Sequence, residues 1–218
     1  MNIIVTGATG MVGSEVVRQA IADPGITEIT AVTRRPLETS HAKLKTVIHK
    51  NFLDYTDLAD IFKNNDACIW CLGISQNQVN KEEYIKITYD YTVAFVRDMV
   101  KANPRIGFLF LSGAGADNTE HSRFLFGRIK GRTENAMMQL PLKRLHIARP
   151  AAILPVHRQP NLPFILKLQY SLVTVFKYIT PSYVITSVDL ARALLYIVKN
   201  DPANKIIQHK ELKTLAVL

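Results

Sequence analysis

The chain has 218 residues, 48% of them hydrophobic and 21% charged, and carries a net charge of +9. These values predict one soluble globular domain, residues 1–218, with room for a sizeable core and no need of a second domain. The first apolar run is short and no basic stretch precedes it, which argues against a secretory signal peptide and predicts a cytoplasmic protein.

A predicted strand, Asn2–Thr6, runs into three glycines and a predicted helix, Met11–Ala22. Such glycines allow a tight turn, close approach of the backbone to a phosphate and close packing of helix on strand, while the helix N-terminus attracts the anion. No Gly-Lys-Ser/Thr follows, which disfavours the phosphate loop of nucleotide triphosphatases. The pattern predicts a dinucleotide site contacted by Gly7, Thr9, Gly10, Met11, Val12 and Gly13.

Strand-like and helix-like segments alternate along most of the chain. Further strands are predicted at Glu28–Thr33, Lys45–Lys50, Asp66–Leu72, Gly107–Ser112 and Leu145–Ala148. Further helices are predicted at Tyr55–Phe62, Lys81–Ala102, Phe124–Gln139 and Val188–Lys199, the last opened by a capping box of Thr186 and Asp189. The alternation predicts an α/β fold: a doubly wound, mostly parallel Rossmann sheet with helices on both faces.

Unusual residues follow five of the predicted strands. These groups are Thr33-Arg34-Arg35, Asn51-Phe52, Leu72-Gly73, Ser112-Gly113-Ala114-Gly115 and Arg149-Pro150. Because the carboxyl ends of parallel strands share one edge of a sheet and bind its ligands, we expect these groups to form one rim.

The end of the second predicted strand indicates which dinucleotide binds. In this kind of fold an acid at that position accepts hydrogen bonds from the adenosine ribose, whereas arginine neutralises a 2′-phosphate. The stretch holds Arg34 and Arg35 and no Asp or Glu before Pro36. It therefore favours NADP(H) over NAD(H). The same residues would also fit an exposed turn in which the two arginines bind no ligand.

Two cysteines, Cys68 and Cys71, lie within the predicted strand Asp66–Leu72. Residues three apart on a strand point to opposite faces, so a shared metal or a disulfide is disfavoured and both are predicted to be core thiols. No metal site is predicted.

The positive charge is concentrated in residues 121–177, where the one acid is Glu134. The ten basic residues there are Arg123, Arg128, Lys130, Arg132, Lys143, Arg144, Arg149, Arg158, Lys167 and Lys177. Such a stretch suits nucleotide phosphates, an anionic substrate, an acidic partner or membrane surface, or only solvent. No recognition-helix or aromatic-interleaved pattern supports specific nucleic-acid binding.

The C-terminal part contains a predicted substrate-side or lid region, residues 155–185. Pro155–Pro163 is predicted to be an irregular loop, and Phe164–Ile179 an apolar helix too short to span a bilayer comfortably. A substrate lid, a homodimer face, a membrane-surface helix and a core helix are all compatible with that segment.

The motifs resemble the short-chain dehydrogenase/reductases, in their extended or atypical branch, over nearly the whole chain. The matching segments are Thr6-Gly7-Ala8-Thr9-Gly10-Met11-Val12-Gly13, Asn51-Phe52, Cys71-Leu72-Gly73, Leu111-Ser112-Gly113 and Arg149-Pro150. Among atypical members the chain looks most like the Tat-interacting oxidoreductase-like group, through Cys-Leu-Gly, Ser-Gly-Ala-Gly-Ala-Asp and Lys-Gly-Arg-Thr-Glu. The resemblance implies further cofactor contacts at Asn51, Phe52, Leu72, Gly73, Lys130 and Pro150.

In that family a serine, a tyrosine and a lysine act on the substrate carbonyl, the last two spaced YxxxK. The resemblance implies catalytic roles for Ser112, which orients the substrate oxygen, and Lys130, which holds the nicotinamide ribose. The tyrosine position is Phe126, so the acid–base hydroxyl is missing. Tyr170, His157, a water molecule or a substrate that needs only hydride would have to replace it.

Two functions follow from this departure. One is an NADP(H)-dependent reductase of an unidentified small molecule. The other is a non-catalytic NADP(H)-sensing or protein-interaction module, whose basic surface meets an acidic partner.

Overall fold

The computed structural model describes residues 1–157 and 181–218. Within these residues seven parallel strands form one sheet, in the order β3-β2-β1-β4-β5-β6-β9. Their bounds are β1 Asn2–Thr6, β2 Glu28–Thr33, β3 Leu44–Ile48, β4 Ala67–Trp70, β5 Gly107–Leu111, β6 Leu145–Arg149 and β9 Ile206–Gln208. A second sheet pairs β7, Ala152–Leu154, with β8, Val184–Thr186.

Helices connect the strands. Their bounds are α1 Met11–Ala22, α2 Ala59–Lys63, α3 Lys81–Ile85, α4 Tyr91–Ala102, α5 Leu125–Gln139, α6 Ser187–Asn200 and α7 His209–Leu215. A π-helical turn, Lys86–Asp90, joins α3 to α4, and 3-10 turns lie at Thr56–Leu58 and Pro181–Tyr183.

Both faces of the sheet are buried along its central strands, β2, β1, β4, β5 and β6, which explains their continuous apolar runs. Side chains alternate along β1: Ile3 and Val5 pack with α1 and α6 in one cluster, and Ile4 packs in the other with Phe95 of α4. All four are fully buried. The predicted doubly wound parallel sheet with helices on both faces is confirmed.

The strand order places β1 between β2 and β4, so the direction of winding reverses beside β1. A crevice outside the carboxyl ends of the strands at such a reversal is where open α/β sheets bind ligands. The glycine loop follows β1 and therefore lies at this point.

Several element bounds differ from the sequence predictions. β4 ends at Trp70, so Cys71 and Leu72 lie beyond the strand. The predicted long helix at Lys81–Ala102 contains the π turn, and the one at Tyr55–Phe62 is a 3-10 turn followed by α2. The elements β7, β8, β9 and α7 were not predicted, because three-residue strands carry too little periodicity to be recognised.

The C-terminal predictions are tested only in part. Thr186 Oγ1 accepts a hydrogen bond from the Asp189 backbone N–H at 3.0 Å, which confirms the predicted cap of α6. The predicted helix Phe164–Ile179 and the alternative proton donor Tyr170 lie outside the described residues. Among residues 1–157 and 181–218, no helix is both long and apolar enough to cross a membrane.

Candidate active site

The glycine loop is shaped by backbone contacts that exclude side chains. Gly7 has φ of +65°, and a Cβ there would lie 2.6 Å from the carbonyl carbon and oxygen of Cys71, beyond the end of β4. A Cβ at Gly13 would lie 2.2 Å from the carbonyl oxygen of Gly7. Gly10 N–H donates to that same oxygen at 2.8 Å. The loop therefore brings β1, β4 and the start of α1 closer together than other residues would permit.

The N-terminus of α1 has the chemistry that attracts an anion. Gly10 is the cap residue, so no side chain caps the helix, and the first turn contains no acidic residue. Free N–H groups and the helix dipole favour a phosphate there.

A cleft opens beside this helix end, and we call it the glycine-loop cleft. It is lined by Gly7, Ala8, Thr9, Val32, Thr33, Arg34, Arg35, Phe52 and Leu72. Arg34 and Arg35 are exposed, and in the described part of the chain no carboxylate pairs with either guanidinium. The lining contains no acid, so the cleft is positive and complementary to phosphate.

Phe52 is the one aromatic residue among the described residues that line the cleft. Its ring is 6% exposed and contacts His49, Tyr55 and Tyr91 at centroid distances of 5.7, 5.9 and 5.4 Å. The neighbouring Asn51 is exposed, and its Oδ1 accepts from the Leu53 N–H at 3.3 Å. Asn51 is absent from the cleft lining, so the structure brings Phe52 but not Asn51 to the cleft.

Lys130 projects from α5 towards the end of β5. Its Nζ donates to the Leu111 carbonyl oxygen at 2.9 Å and lies 4.6 Å from the centre of the Phe110 ring. Burial lowers the pKa of Lys130 to about 8, although nearby Glu134 and Cys71 raise it. Burial also raises the pKa of the Cys71 thiol to about 12, although Lys130 lowers it. Cys71 is therefore an unreactive, partly buried thiol, and Cys68 is fully buried.

Ser112, Asn118, Glu134 and Arg149 form a hydrogen-bonded group that we call the Ser112 cluster. Ser112 Oγ donates to Glu134 Oε1 at 2.5 Å. Arg149 Nε donates to the same oxygen at 3.0 Å, and a second Arg149 nitrogen contacts both Glu134 Oε2 and Asn118 Oδ1. Asn118 Nδ2 donates to Glu134 Oε2 at 3.0 Å. The carboxylate, which is fully buried, thus joins the ends of β5 and β6 to α5.

Phe126 lies one turn before Lys130 on α5. A Cβ at Gly113 would lie 2.6 Å from Phe126 Cζ, so the far end of the ring packs on the backbone that follows Ser112. The Phe126 N–H donates to Gln76 Oε1 at 2.9 Å. His157, an alternative proton donor, lies elsewhere: its Nδ1 is 3.1 Å from Glu15 Oε2 on α1.

The sequence-predicted residues therefore fall into three groups. Gly7, Thr9, Arg34, Arg35, Phe52 and Leu72 line the glycine-loop cleft. Gly10, Val12 and Gly13 form the turn and the helix start, and Met11 lines an adjoining groove shared with Arg35. Ser112 and Pro150 directly follow β5 and β6, and Lys130 Nζ reaches the end of β5 from α5. Neither Asn51 nor Gly73 lines the cleft.

The sequence prediction missed the roles of Glu134 and Asn118. Glu134 is the one acid in the basic stretch of residues 121–177, and it falls four residues after Lys130 on the same helix face. A single acid among ten basic residues was the feature of the sequence that could have indicated a buried ion pair. The residues that the structure describes contain no group of three His, Cys, Asp or Glu side chains placed to hold a metal.

Comparison with known proteins agrees with this geometry. Residues 7–142 match a family described as NAD(P)H-binding. The chain is 26% identical to rat protein HTATIP2 over 165 residues, 74% of this chain and 66% of that protein. It is 30% identical to the mitochondrial protein FMP52 of Candida albicans over 168 residues, 74% of this chain and 71% of that protein. It spans 58% of a leucinostatins biosynthesis cluster protein of Purpureocillium lilacinum, so some relatives are considerably longer.

Solved structures show the same fold at low sequence identity. The Bordetella bronchiseptica enzyme WbmF in complex with NAD+ superposes with a TM-score of 0.71 at 14% identity, covering 98% of this chain and 76% of that one. UDP-glucuronic acid 4-epimerase from Bacillus cereus in complex with NAD superposes with a TM-score of 0.70 at 12% identity, covering 95% of this chain and 78% of that one. The chain therefore belongs to the NAD(P)H-binding family and is an atypical short-chain dehydrogenase/reductase, similar to HTATIP2.

Proposed function

We propose that this protein binds NADP(H) in preference to NAD(H) and acts as an oxidoreductase on a small molecule. The observation that carries the cofactor preference is the pair of exposed guanidiniums, Arg34 and Arg35, in a cleft whose lining holds no acid. Arginine binds phosphate with paired, charge-assisted hydrogen bonds, whereas ribose hydroxyls are usually met by a carboxylate.

The residues present fit the whole dinucleotide. The uncapped N-terminus of α1 takes the pyrophosphate, and the space kept open by Gly7 allows the backbone to approach it. Phe52 offers an apolar surface to the adenine, and Lys130 offers an ammonium group to the nicotinamide ribose. NADPH supplies hydride, and Ser112 orients the ligand beside it.

The cofactor preference is tested by replacing both arginines with alanine. A hydrogen bond to a charged group contributes about 1.5–3 kcal/mol, so Arg34→Ala/Arg35→Ala should weaken NADPH binding at least about tenfold. NADH binding should change little. The matched control is Lys101→Ala/Arg105→Ala, which removes the same charge from exposed positions in the last turn of α4 and in the loop before β5, at the amino ends of the strands. Equal losses in the two double variants would assign the effect to net charge alone.

A second candidate function, a non-catalytic NADP(H)-sensing module, is favoured by Phe126. Its ring has no proton to donate and occupies the position next to Gly113. Phe126→Tyr adds its hydroxyl at Cζ, which packs on Gly113, so the ring must tilt away from that backbone to present the hydroxyl. The substitution separates the two candidates, because a positioned acid contributes about 10² to 10⁴ in rate. If the site performs the family reaction, the rate of carbonyl reduction, monitored through the oxidation of NADPH, should rise at least about a hundredfold in Phe126→Tyr. Phe126→Leu should not raise that rate. An unchanged rate over a panel of ketones would favour the sensing function.

A further inference from the structure

The carboxylate of Glu134 can only accept hydrogen bonds. It is fully buried, and the Arg149 guanidinium contacts both of its oxygens. Asn118 Nδ2 donates to Oε2 as well. Both oxygens thus already accept from N–H groups, and a carboxylate paired with a guanidinium offers acceptors only.

The single hydrogen of the Ser112 hydroxyl is therefore committed to Glu134. The 2.5 Å separation between Ser112 Oγ and Glu134 Oε1 requires a hydrogen between them, and the serine is the partner that owns it. Within the described residues, no group donates to Ser112 Oγ. Ser112 directly follows β5, and with its hydrogen committed its hydroxyl has only lone pairs left to offer a ligand there.

The neighbouring groups do not replace the lost donor hydroxyl. Phe126, at the position of the family tyrosine, presents a hydrocarbon ring against Gly113. Lys130 donates one of its three hydrogens to the Leu111 carbonyl, and in the proposed complex the others serve the nicotinamide ribose and not the second ligand. The two hydroxyls that serve a carbonyl oxygen in the family are thus turned away or missing in this chain.

We infer that Glu134 is a positioning residue that makes Ser112 a hydrogen-bond acceptor, so that the site selects a ligand group that donates, an alcohol hydroxyl or an amine. This inference rests on the proposed NADP(H) site, because Ser112 meets its ligand beside the bound cofactor. A purely structural Glu134, which only ties α5 to β5 and β6, would impose no preference between donor and acceptor ligands.

The test compares cyclohexanol with its methyl ether, methoxycyclohexane, on the NADPH complex of the full chain. The two probes share a ring and an oxygen, only the alcohol donates, and NADPH reduces neither. NADPH binding is first verified by its fluorescence, and the dissociation constant of each probe is then measured by saturation-transfer NMR. Cyclohexanol should bind about threefold to tenfold more tightly than the ether.

Glu134→Gln should reverse this preference. Oε2 receives two fixed N–H donors, from Asn118 and Arg149, whereas Oε1 receives one, Arg149 Nε, besides the rotatable Ser112 hydroxyl. The carbonyl of the introduced amide should therefore occupy the Oε2 position and its NH2 should face Ser112, with loss of the Arg149 Nε bond. Ser112 would then accept from the amide and donate to the ligand, and the ether should bind at least as tightly as the alcohol. Asn118→Ala is the matched control, because it removes a bond to Glu134 and leaves the Ser112 contact in place; the alcohol preference should persist.

The outcomes separate the inference from the function on which it rests. Absence of any fluorescence change would reject the NADP(H) site itself. With NADPH bound, equal affinity for the two probes, or failure of cyclohexanol to bind, would overturn the role of Glu134. If Glu134→Gln does not fold, Ser112→Ala provides the test. Its affinity for cyclohexanol should fall threefold or more, and its affinity for the ether should not change. An equal loss of affinity for both probes would contradict the inference.

Discussion

The glycine-loop cleft and the Ser112 cluster lie on the same rim of the sheet, but their charged groups are arranged in opposite ways. In the cleft, Arg34 and Arg35 are exposed and face no acid among the lining residues. In the cluster, Arg149 is bound to Glu134, which is fully buried. Charges that are left unpaired at a rim are available to a ligand, whereas charges paired in the interior hold the fold. Substitutions in the cleft should therefore change cofactor affinity, and substitutions in the cluster should first change stability.

The largest expected effect is on stability, from Arg149→Met. Loss of the guanidinium leaves the buried Glu134 carboxylate without its cation, which typically costs about 3–5 kcal/mol. The free energy of unfolding, measured with a chemical denaturant, should fall by about that amount. Lys45→Met is the control, because it breaks an exposed pair with Glu28 and should cost at most about 1 kcal/mol. Equal effects of the two substitutions would mean that the cluster does not hold the fold.

Gly13→Ala should affect the cleft more than the fold. The added Cβ would meet the Gly7 carbonyl oxygen at 2.2 Å, so the loop must shift, at a cost of about 1–3 kcal/mol in unfolding free energy. Because the same shift displaces the helix end that faces the phosphate, NADPH binding should be lost at concentrations that saturate the unsubstituted protein. For stability the control is Gly73→Ala, since a Cβ there has nothing within 4 Å. Unchanged NADPH affinity in Gly13→Ala would mean that the glycine loop is not part of the cofactor site.

The smallest effect concerns pH and Lys130, whose Nζ reaches the end of β5 from α5. Burial lowers its pKa from 10.5 to about 8 in the folded protein. Below about pH 8 the lysine is charged in both states and its burial destabilises the fold. Between about pH 8 and 10.5 the lysine is neutral in the folded protein and charged in the unfolded chain. The free energy of unfolding that it contributes therefore increases as pH rises.

The comparison with Lys130→Met isolates that contribution. Relative to this variant, the unsubstituted protein should gain on the order of 1–2 kcal/mol of unfolding free energy between pH 8 and 10. The difference between the two proteins is the quantity to follow, because other groups titrate in both. A difference that stays constant over this range would show that Lys130 is solvated in the folded state.

The sequence predicted most of the fold because its long elements are locally consistent. The bounds of β1, β2 and α1 agree with the predictions, since β-branched runs and a clear helical period lie beside glycines. β9 and α7 were not predicted, because they are only three and seven residues long and show too little periodicity. β9 pairs with β6, a contact that depends on the tertiary structure and leaves no local pattern.

The site was predicted where a motif identifies it and missed where partners are distant in sequence. The glycine loop and Arg34 were found from their positions after β1 and β2. The partnership of Glu134 with Ser112 and Arg149 joins residues 22 and 15 positions apart, and no periodicity reports it. Placement in the cytoplasm and a single domain over residues 1–218 stay predictions from composition.

The central claim, that the unpaired arginines of the glycine-loop cleft select a phosphorylated dinucleotide, is tested most directly by titrating the unsubstituted protein with NADPH and with NADH. The two cofactors differ only in the 2′-phosphate. NADPH should bind at least about tenfold more tightly, the contribution of one charged hydrogen bond. Equal affinities, or tighter binding of NADH, would contradict it.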